Sequence, residues 1–265
     1  MSAGGRPADL TRRRWRGVGA LVERESARVL RLWTQTIAPQ VIAATLFVVV
    51  FGIALGSQID RVGGVPYDRF IVPGLVLMGV ATQAFANNAT SIYQARQDGF
   101  IEDPATSPMR ASHLLIGYMS GGVLRSLLIG LGTLAVARVF VDYSIERPDL
   151  LALTLVAAAI AFSALGTVVG LYSDGWEQQN FVGNLVIQPL AFLGGVFYAV
   201  DSLPSPWFEI THADPIFYMV AAARQAMLGD GEVSTLLAVG VTIGLATAMV
   251  AWAWSCFARG VGIRT

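Results

Sequence analysis

No lysine occurs in this 265-residue sequence; all eighteen basic residues are arginine. A phosphate-binding P-loop sets a lysine on the β- and γ-phosphates of its nucleotide, so the chain does not build one. Cysteine is almost as scarce. A lone Cys256 excludes a disulfide framework and a cysteine-based metal site. The two histidines, His113 and His212, lie far apart and on opposite sides of the topology derived below, so no metal site is expected. Charged residues make up 14% of the chain, and its long apolar stretches contain only Arg125 and Arg138 of them. None of these stretches holds a carboxylate. Ion- and proton-coupled carriers use intramembrane carboxylates, so the absence weighs against a secondary carrier. No internal repeat stands out, which removes support for an inverted-repeat transporter. No catalytic residue and no nucleic-acid partner is expected.

What the sequence does contain is six apolar stretches, at 39–56, 70–92, 114–140, 150–172, 181–200 and 236–257. A hydrocarbon core about 30 Å thick needs roughly 20 apolar residues of helix, and each stretch meets or approaches that length. A soluble helical protein would carry a polar stripe at a 3.6-residue period; 43–56 and 151–170 carry none. The expected fold is therefore all-α, a polytopic membrane protein of six transmembrane helices. Eight arginines (Arg6, Arg12, Arg13, Arg14, Arg16, Arg24, Arg28, Arg31) precede the first stretch. With the N-terminus in the cytoplasm, Arg96, Arg110, Arg259 and Arg264 join them there, leaving Arg61, Arg69, Arg147 and Arg224 outside. The positive-inside rule then places both termini in the cytoplasm. The basic region is too long, and followed by no small-residue cleavage site, so no cleavable signal peptide is expected.

Two regions follow: 1–36, a cytoplasmic tail with an amphipathic helix, and 37–265, the six-span domain. Residues 1–9 read as a disordered tail. From Leu10 to Thr36, apolar Val18, Leu21, Val22, Val29 and Trp33 interleave with arginines, the profile of a helix lying in the membrane interface among anionic lipid headgroups. Between spans five and six, 201–235 carries Pro204, Pro206 and Pro215 and apolar pieces too short to cross. These read as short extracellular helices that dip into the outer leaflet or cap the bundle.

Residues 95–110 form the most telling polar stretch. Phe100 and Ile101, rimmed by Asp98, Glu102 and Asp103, make an apolar knob suited to a groove on a soluble partner. Arg125 lies mid-span, where a charge faces an interior or a water-filled cavity. It reads either as a contact for an anionic substrate group or as a tie to neighbouring polar groups and carbonyls. Arg138, near the outer end, snorkels. Gln83, Asn87, Asn88, Asn184 and Gln188 form a polar trace on spans two and five that either lines a path or binds helices together. The candidate translocation path is thus Gln83, Asn87, Asn88, Arg125 and Gln188. Gly117-x-x-x-Gly121 and Gly166-x-x-x-Gly170 have the spacing of close helix packing.

Phe70-Ile-Val-Pro-Gly-Leu resembles the Phe-x-x-Pro-Gly motif that opens the second span of ABC-2 type permeases. The 95–110 stretch is similar to that family's coupling segment, Gly-x-x-Glu-x-x-x-x-x-Pro, which falls on Gly99, Glu102 and Pro108. Gly194-Gly-Val-Phe-Tyr, Leu203-Pro and Asp214-Pro-Ile-x-Tyr-x-x-x-x-x-Arg224 resemble the sequence after its fifth span. The order and spacing agree from about residue 20 to the C-terminus; Asp214 replaces a usual Asn, and Pro104 interrupts a position more often apolar. The resemblance implies the membrane subunit of an ATP-driven exporter of drugs, lipids or glycans in the bacterial cytoplasmic (inner) membrane. It is then not itself an enzyme: ATP and magnesium belong to a separate ATP-binding cassette ATPase, present in two copies, and no cofactor is expected on this chain. It further implies a second permease subunit, as a homodimer, and an ATPase-coupling interface of Gly99, Phe100, Ile101, Glu102, Asp103 and Pro108. The competing classes are a secondary carrier and a non-transporting scaffold; the latter needs neither the polar trace nor the acidic-rimmed knob.

Overall fold

The computed structural model describes residues 7–56, 59, 61–99, 109–229 and 231–262. Helix α1 (Pro7–Arg31) leads, through the single turn α2 (Trp33–Thr36), to α3 (Ala38–Phe47), which continues as a π-helical stretch, Val48–Leu55. A minimal hairpin follows, β1 (Arg61–Val62) against β2 (Val65–Pro66). Its turn, Gly63-Gly64, has φ of +58° and +82°, the left-handed pair that a two-residue hairpin loop requires. This hairpin is an addition to the all-α expectation. Then come α4 (Tyr67–Gln97), α5 (Ala111–Phe140) and α6 (Pro148–Tyr172).

The remaining helices are α7 (Trp176–Val182), a π turn (Gly183–Ile187), α8 (Gln188–Leu193), α9 (Trp207–Ala213), α10 (Pro215–Leu228) and α11 (Thr235–Arg259). Local chemistry sets several boundaries. Pro148 enters α6 at its first turn beside Asp149, where a missing N–H costs nothing and a carboxylate meets the positive helix end. Asp214 caps α10 by accepting the Ile216 N–H at 2.8 Å, and Gly229, at φ +75°, ends it. Gly260, at φ +70°, ends α11.

Among the described residues, five helical segments are long and apolar enough to cross a membrane: Trp33–Gly52, Tyr67–Gln97, Ala111–Phe140, Pro148–Tyr172 and Thr235–Arg259. The expected fifth span, 181–200, differs. It is an interrupted rod of α7, π turn and α8 that ends at Leu193, because Gly195, at φ +78°, turns the chain. The rod also carries Gln178, Gln179, Asn180, Asn184 and Gln188, which dilute its apolar character. The helix expected at 10–36 ends at Arg31. Its inner face, Val18, Leu21 and Val29, is buried, and α1 packs lengthwise on the first turns of α5.

The bundle is built on α4, buried on nearly every side between α5 and α6. Glycine permits the closest approaches. A Cβ on Gly166 would lie 2.3 Å from the Phe85 carbonyl oxygen, and one on Gly170 would lie 2.7 Å from that of Ala89, so α6 meets α4 backbone to backbone. On α5, Gly117 accepts Leu21 of α1 and Gly121 accepts Glu25. Both small-residue spacings therefore face helix contacts. The end of the bundle carrying α1, Arg96 and Gly262 is called the near end below; the hairpin, α9 and α10 lie at the far end. Helix α10 is no surface piece, since Ile216, Phe217, Met219, Val220, Ala223 and Met227 are all buried.

Candidate functional site

A cavity of about 360 Å³ opens between α3, α4, α5 and the α7–α8 rod. Phe47, Leu75, Met78, Phe85 and Ile129 supply its apolar wall; Gln40, Gln83, Gln179, Asn180, Asn184 and Gln188 supply amides, and Thr133 a hydroxyl. Among the described residues no ionisable side chain lines it. Asn180, Asn184 and Gln188 recur every fourth residue, which sets them along one side of a helix. The π turn between 183 and 187 adds a residue to the turn, and Gln179 also reaches the cavity. Gln179 is buried, and neither end of its amide has a hydrogen-bond partner. A buried amide without partners calls for a polar guest or water.

Arg125 stands behind this wall. Its Nη2 donates to the Gln83 side-chain oxygen at 2.7 Å and to the Thr36 carbonyl at 3.1 Å. The guanidinium thus ties α5 to α4 and to α2, and leaves the amide nitrogen of Gln83 for the cavity. Gln188 faces the same cavity from α8. Asn87 and Asn88 are buried on α4 and do not line it. The Asn88 amide donates to the Thr167 hydroxyl at 3.0 Å and to the Tyr118 carbonyl at 3.4 Å, so it joins α4 to α5 and α6. Arg138 pairs at the far end with Asp142, at 2.7 Å. Of the coupling segment, Gly99 is exposed at φ +73°; Phe100, Ile101, Glu102, Asp103 and Pro108 lie outside the described residues.

Two carboxylates, Glu232 and Glu25, drawn into the bundle with their arginine partners, escape sequence reasoning. At the far end Arg224 donates to Glu232 at 3.0 Å and to the Gly195 carbonyl at 2.7 Å, and its guanidinium lies 3.8 Å from the Phe70 ring centre. Tyr67 donates to the Phe197 carbonyl at 3.1 Å. A Cβ on Gly74 would come within 2.9 Å of the Val196 Cα. Phe70-x-x-Pro-Gly, Gly194-Gly-Val-Phe-Tyr and Asp214-Pro…Arg224, far apart in sequence, thus meet at one junction. Beside it, burial pushes the Asp214 carboxyl up to about 6 and raises Glu232 as well.

At the near end, Glu25 of α1 is buried. Its carboxylate accepts from Arg24 at 3.0 Å, Arg28 at 2.7 Å and the Ser91 hydroxyl of α4 at 2.8 Å. Arg24 also lies over the Tyr118 ring, 5.4 Å from its centre. The one signal in the sequence was an acidic residue flanked by arginines at i−1 and i+3 inside a basic helix. Among the described residues no three His, Cys, Asp or Glu side chains gather as metal ligands.

A profile of the ABC-2 type transporter family matches residues 16–228, from within α1 to the end of α10. The chain is 36% identical over 251 residues to the inner membrane transport permease YadH of Escherichia coli K12, covering 95% of this chain and 98% of that protein. It is 30% identical over 194 residues to nodulation protein J of Rhizobium leguminosarum bv. trifolii, covering 71% and 72% respectively. Against nodulation protein J of Rhizobium meliloti the identity is 27% over 195 residues.

Proposed function

Since the chain belongs to the ABC-2 type transporter family, we propose that it is the membrane permease subunit of an ATP-driven exporter in the bacterial inner membrane. The observation that carries this reading is the cavity. An amide-lined space bounded by four helical segments suits a transient path for a substrate; a second cavity, of about 670 Å³ between α5, α6 and α11, is lined almost wholly by apolar side chains. Amides and hydroxyls without a charge favour a substrate that presents neutral hydrogen-bonding groups on a hydrophobic or amphipathic body, among the drugs, lipids and glycans that the resemblance allows. The π stretches at Val48–Leu55 and Gly183–Ile187 support it too, since such irregular turns collect at functional sites.

In this reading the near end is cytoplasmic, as the arginine distribution favours, and the α7–α8 rod completes six crossings. Helix α1 borders the inner headgroups, where exposed Trp15 and Trp33 suit an interface. The far-end helices α9 and α10 face outward. ATP hydrolysis resides on a separate ATPase with its magnesium, because a chain without lysine supplies no P-loop lysine. Two ATPases serve two permease chains, docking on Gly99–Asp103 and Pro108, with Phe100 as the apolar anchor.

Copurification from membranes, followed by ATPase assays in proteoliposomes, tests the assignment. A P-loop ATPase is expected to elute with the permease and to be stimulated by amphipathic drugs or lipid-linked glycans. Transport that persists with every associated ATPase removed would sink the proposal. Truncating an aromatic at an interface centre costs roughly 2 kcal/mol or more. Phe100→Ala is therefore expected to weaken ATPase retention while membrane insertion stays normal; full retention would remove the anchor role.

A further inference from the structure

Arg96 closes α4, three residues before Gly99 and the 100–108 segment. Its guanidinium is spread over two other elements. Nη1 donates to the Ser173 carbonyl at 2.8 Å and the Gly170 carbonyl at 3.2 Å, both at the end of α6, and Nε donates to the Gly262 carbonyl at 3.0 Å, beyond α11. The last carbonyls of a helix lack intrahelical partners and sit at its negative pole, so a guanidinium there fills an electrostatic and a hydrogen-bonding need together. The fork of fixed N–H groups lets one side chain hold several carbonyls at once, which a lysine does not reproduce.

The tail after α11 is shaped to meet it. Gly260 and Gly262 have φ of +70° and +68°, two left-handed turns that fold the chain back toward α4. A Cβ on Gly262 would stand 2.5 Å from the Leu171 carbonyl oxygen and 3.0 Å from Arg96 Nε, so only glycine fits the contact. Val261 packs against a near-end apolar cluster that includes Leu171, Ile92 and Phe257. Backbone continuity runs the other way as well, because the Gly99 N–H donates to the Arg96 carbonyl at 3.2 Å.

We propose that Arg96 is a positioning residue that makes the near ends of α4, α6 and α11 move as one body, so that displacement of the 99–108 segment is delivered to all three helices. The inference rests on reading that segment as the ATPase-docking site. A rigid junction where the force enters is what turns a local push into a rearrangement of the bundle.

Spin labels on exposed Gln97 and Ala258, both changed to cysteine in a Cys256→Ser background, report the α4–α11 distance in the permease–ATPase complex. With labelled permease diluted by unlabelled chains, so that each complex carries at most one labelled copy, a single narrow distance is expected in the otherwise native complex both without nucleotide and after trapping with ATP and vanadate. Arg96→Gln should stay narrow without nucleotide and broaden at least twofold on trapping, while ATPase retention and hydrolysis persist; Arg96→Lys should broaden less. Gly262→Ala, which displaces the tail alone, should act in the same direction and decides the matter where Arg96→Gln does not assemble. An Arg96→Gln complex that stays narrow in both states overturns the proposal. Broadening already present without nucleotide also overturns it, since Arg96 would then be a packing residue. An otherwise native permease that retains no ATPase removes the docking reading, and this inference with it.

Discussion

The two sides of this bundle are built differently. On one, α4 and α6 are mostly enclosed, with 78% and 67% of their most apolar windows buried; on the other, the Trp33–Gly52 segment has 11% of its window buried. The enclosed side is uninterrupted α-helix joined through glycine contacts and amide bonds, as at Gly166, Gly170 and Asn88. The open side, α3 and the α7–α8 rod, is where both π stretches occur. It also presents Ile42, Leu46, Phe181 and Leu185 to the outside. The cavity lies on the seam. A close-packed frame resists change because its contacts are dense and backbone-near, whereas a loosely held wall can be displaced without repacking the frame.

The largest expected effect lies on the enclosed side. Arg224→Ala leaves Glu232 buried without its partner, and breaking a buried pair in this way costs about 3–5 kcal/mol. Folded yield and the melting temperature in detergent should collapse, with Arg224→Lys recovering part; a native melting profile for the alanine variant would refute the far-end junction. Arg125→Gln probes the seam itself. Losing the donor to Gln83 and Thr36 costs roughly 1–3 kcal/mol, so assembly should survive with a lowered melting temperature and weaker transport. Lost transport at an unchanged melting temperature would instead assign Arg125 to an anionic substrate group.

The smallest effect concerns Asp214. Its carboxyl is raised from 3.8 to about 6 by burial, so the folded state holds its proton more tightly than the unfolded chain. That contribution is fully present below about pH 4 and is lost as the pH rises through about 6. Asn keeps the cap without the buried charge. Asp214→Asn should match the native protein near pH 4 and exceed it above pH 7, by about 3 kcal/mol at the very most. Equal stability of the two across that range, followed by thermal unfolding, would show that the carboxylate is not penalised.

Long apolar runs were legible because length and hydropathy alone decide them. Stretches 70–92, 114–140, 150–172 and 236–257 each sit inside a helix that extends them by one to several residues. Polar Gln94, Arg96 and Gln97 hide the end of α4 from a hydropathy reading. The break at Gly195 was not legible, since a glycine inside an apolar run is compatible with either a helix or a turn. Arg224 was legible as the end of the Asp214-Pro…Arg224 motif and as an outside arginine, but its burial against Gly195 and Phe70, distant in sequence, was not. For Glu25 the arginines at i−1 and i+3 were visible, but its burial against Ser91, 66 residues on, was not. Of the cavity, Gln83 and Gln188 were found as isolated polar residues in apolar runs; Gln179 was hidden because it precedes the run and reads as loop.

The seating of α1 on α5 has a consequence for the order of assembly. Glu25 enters its buried position only when Ser91, 66 residues later, and the Gly121 notch beyond it exist. At about 5–20 residues per second of synthesis, α1 waits several seconds after emerging before its docking groove is made. During that interval its carboxylate is not left alone, because Arg24 and Arg28 are carried on the same helix. Helix α1 is therefore fixed only after α4 and the first turns of α5 are made, and its own counter-ions are what keep it ready to dock.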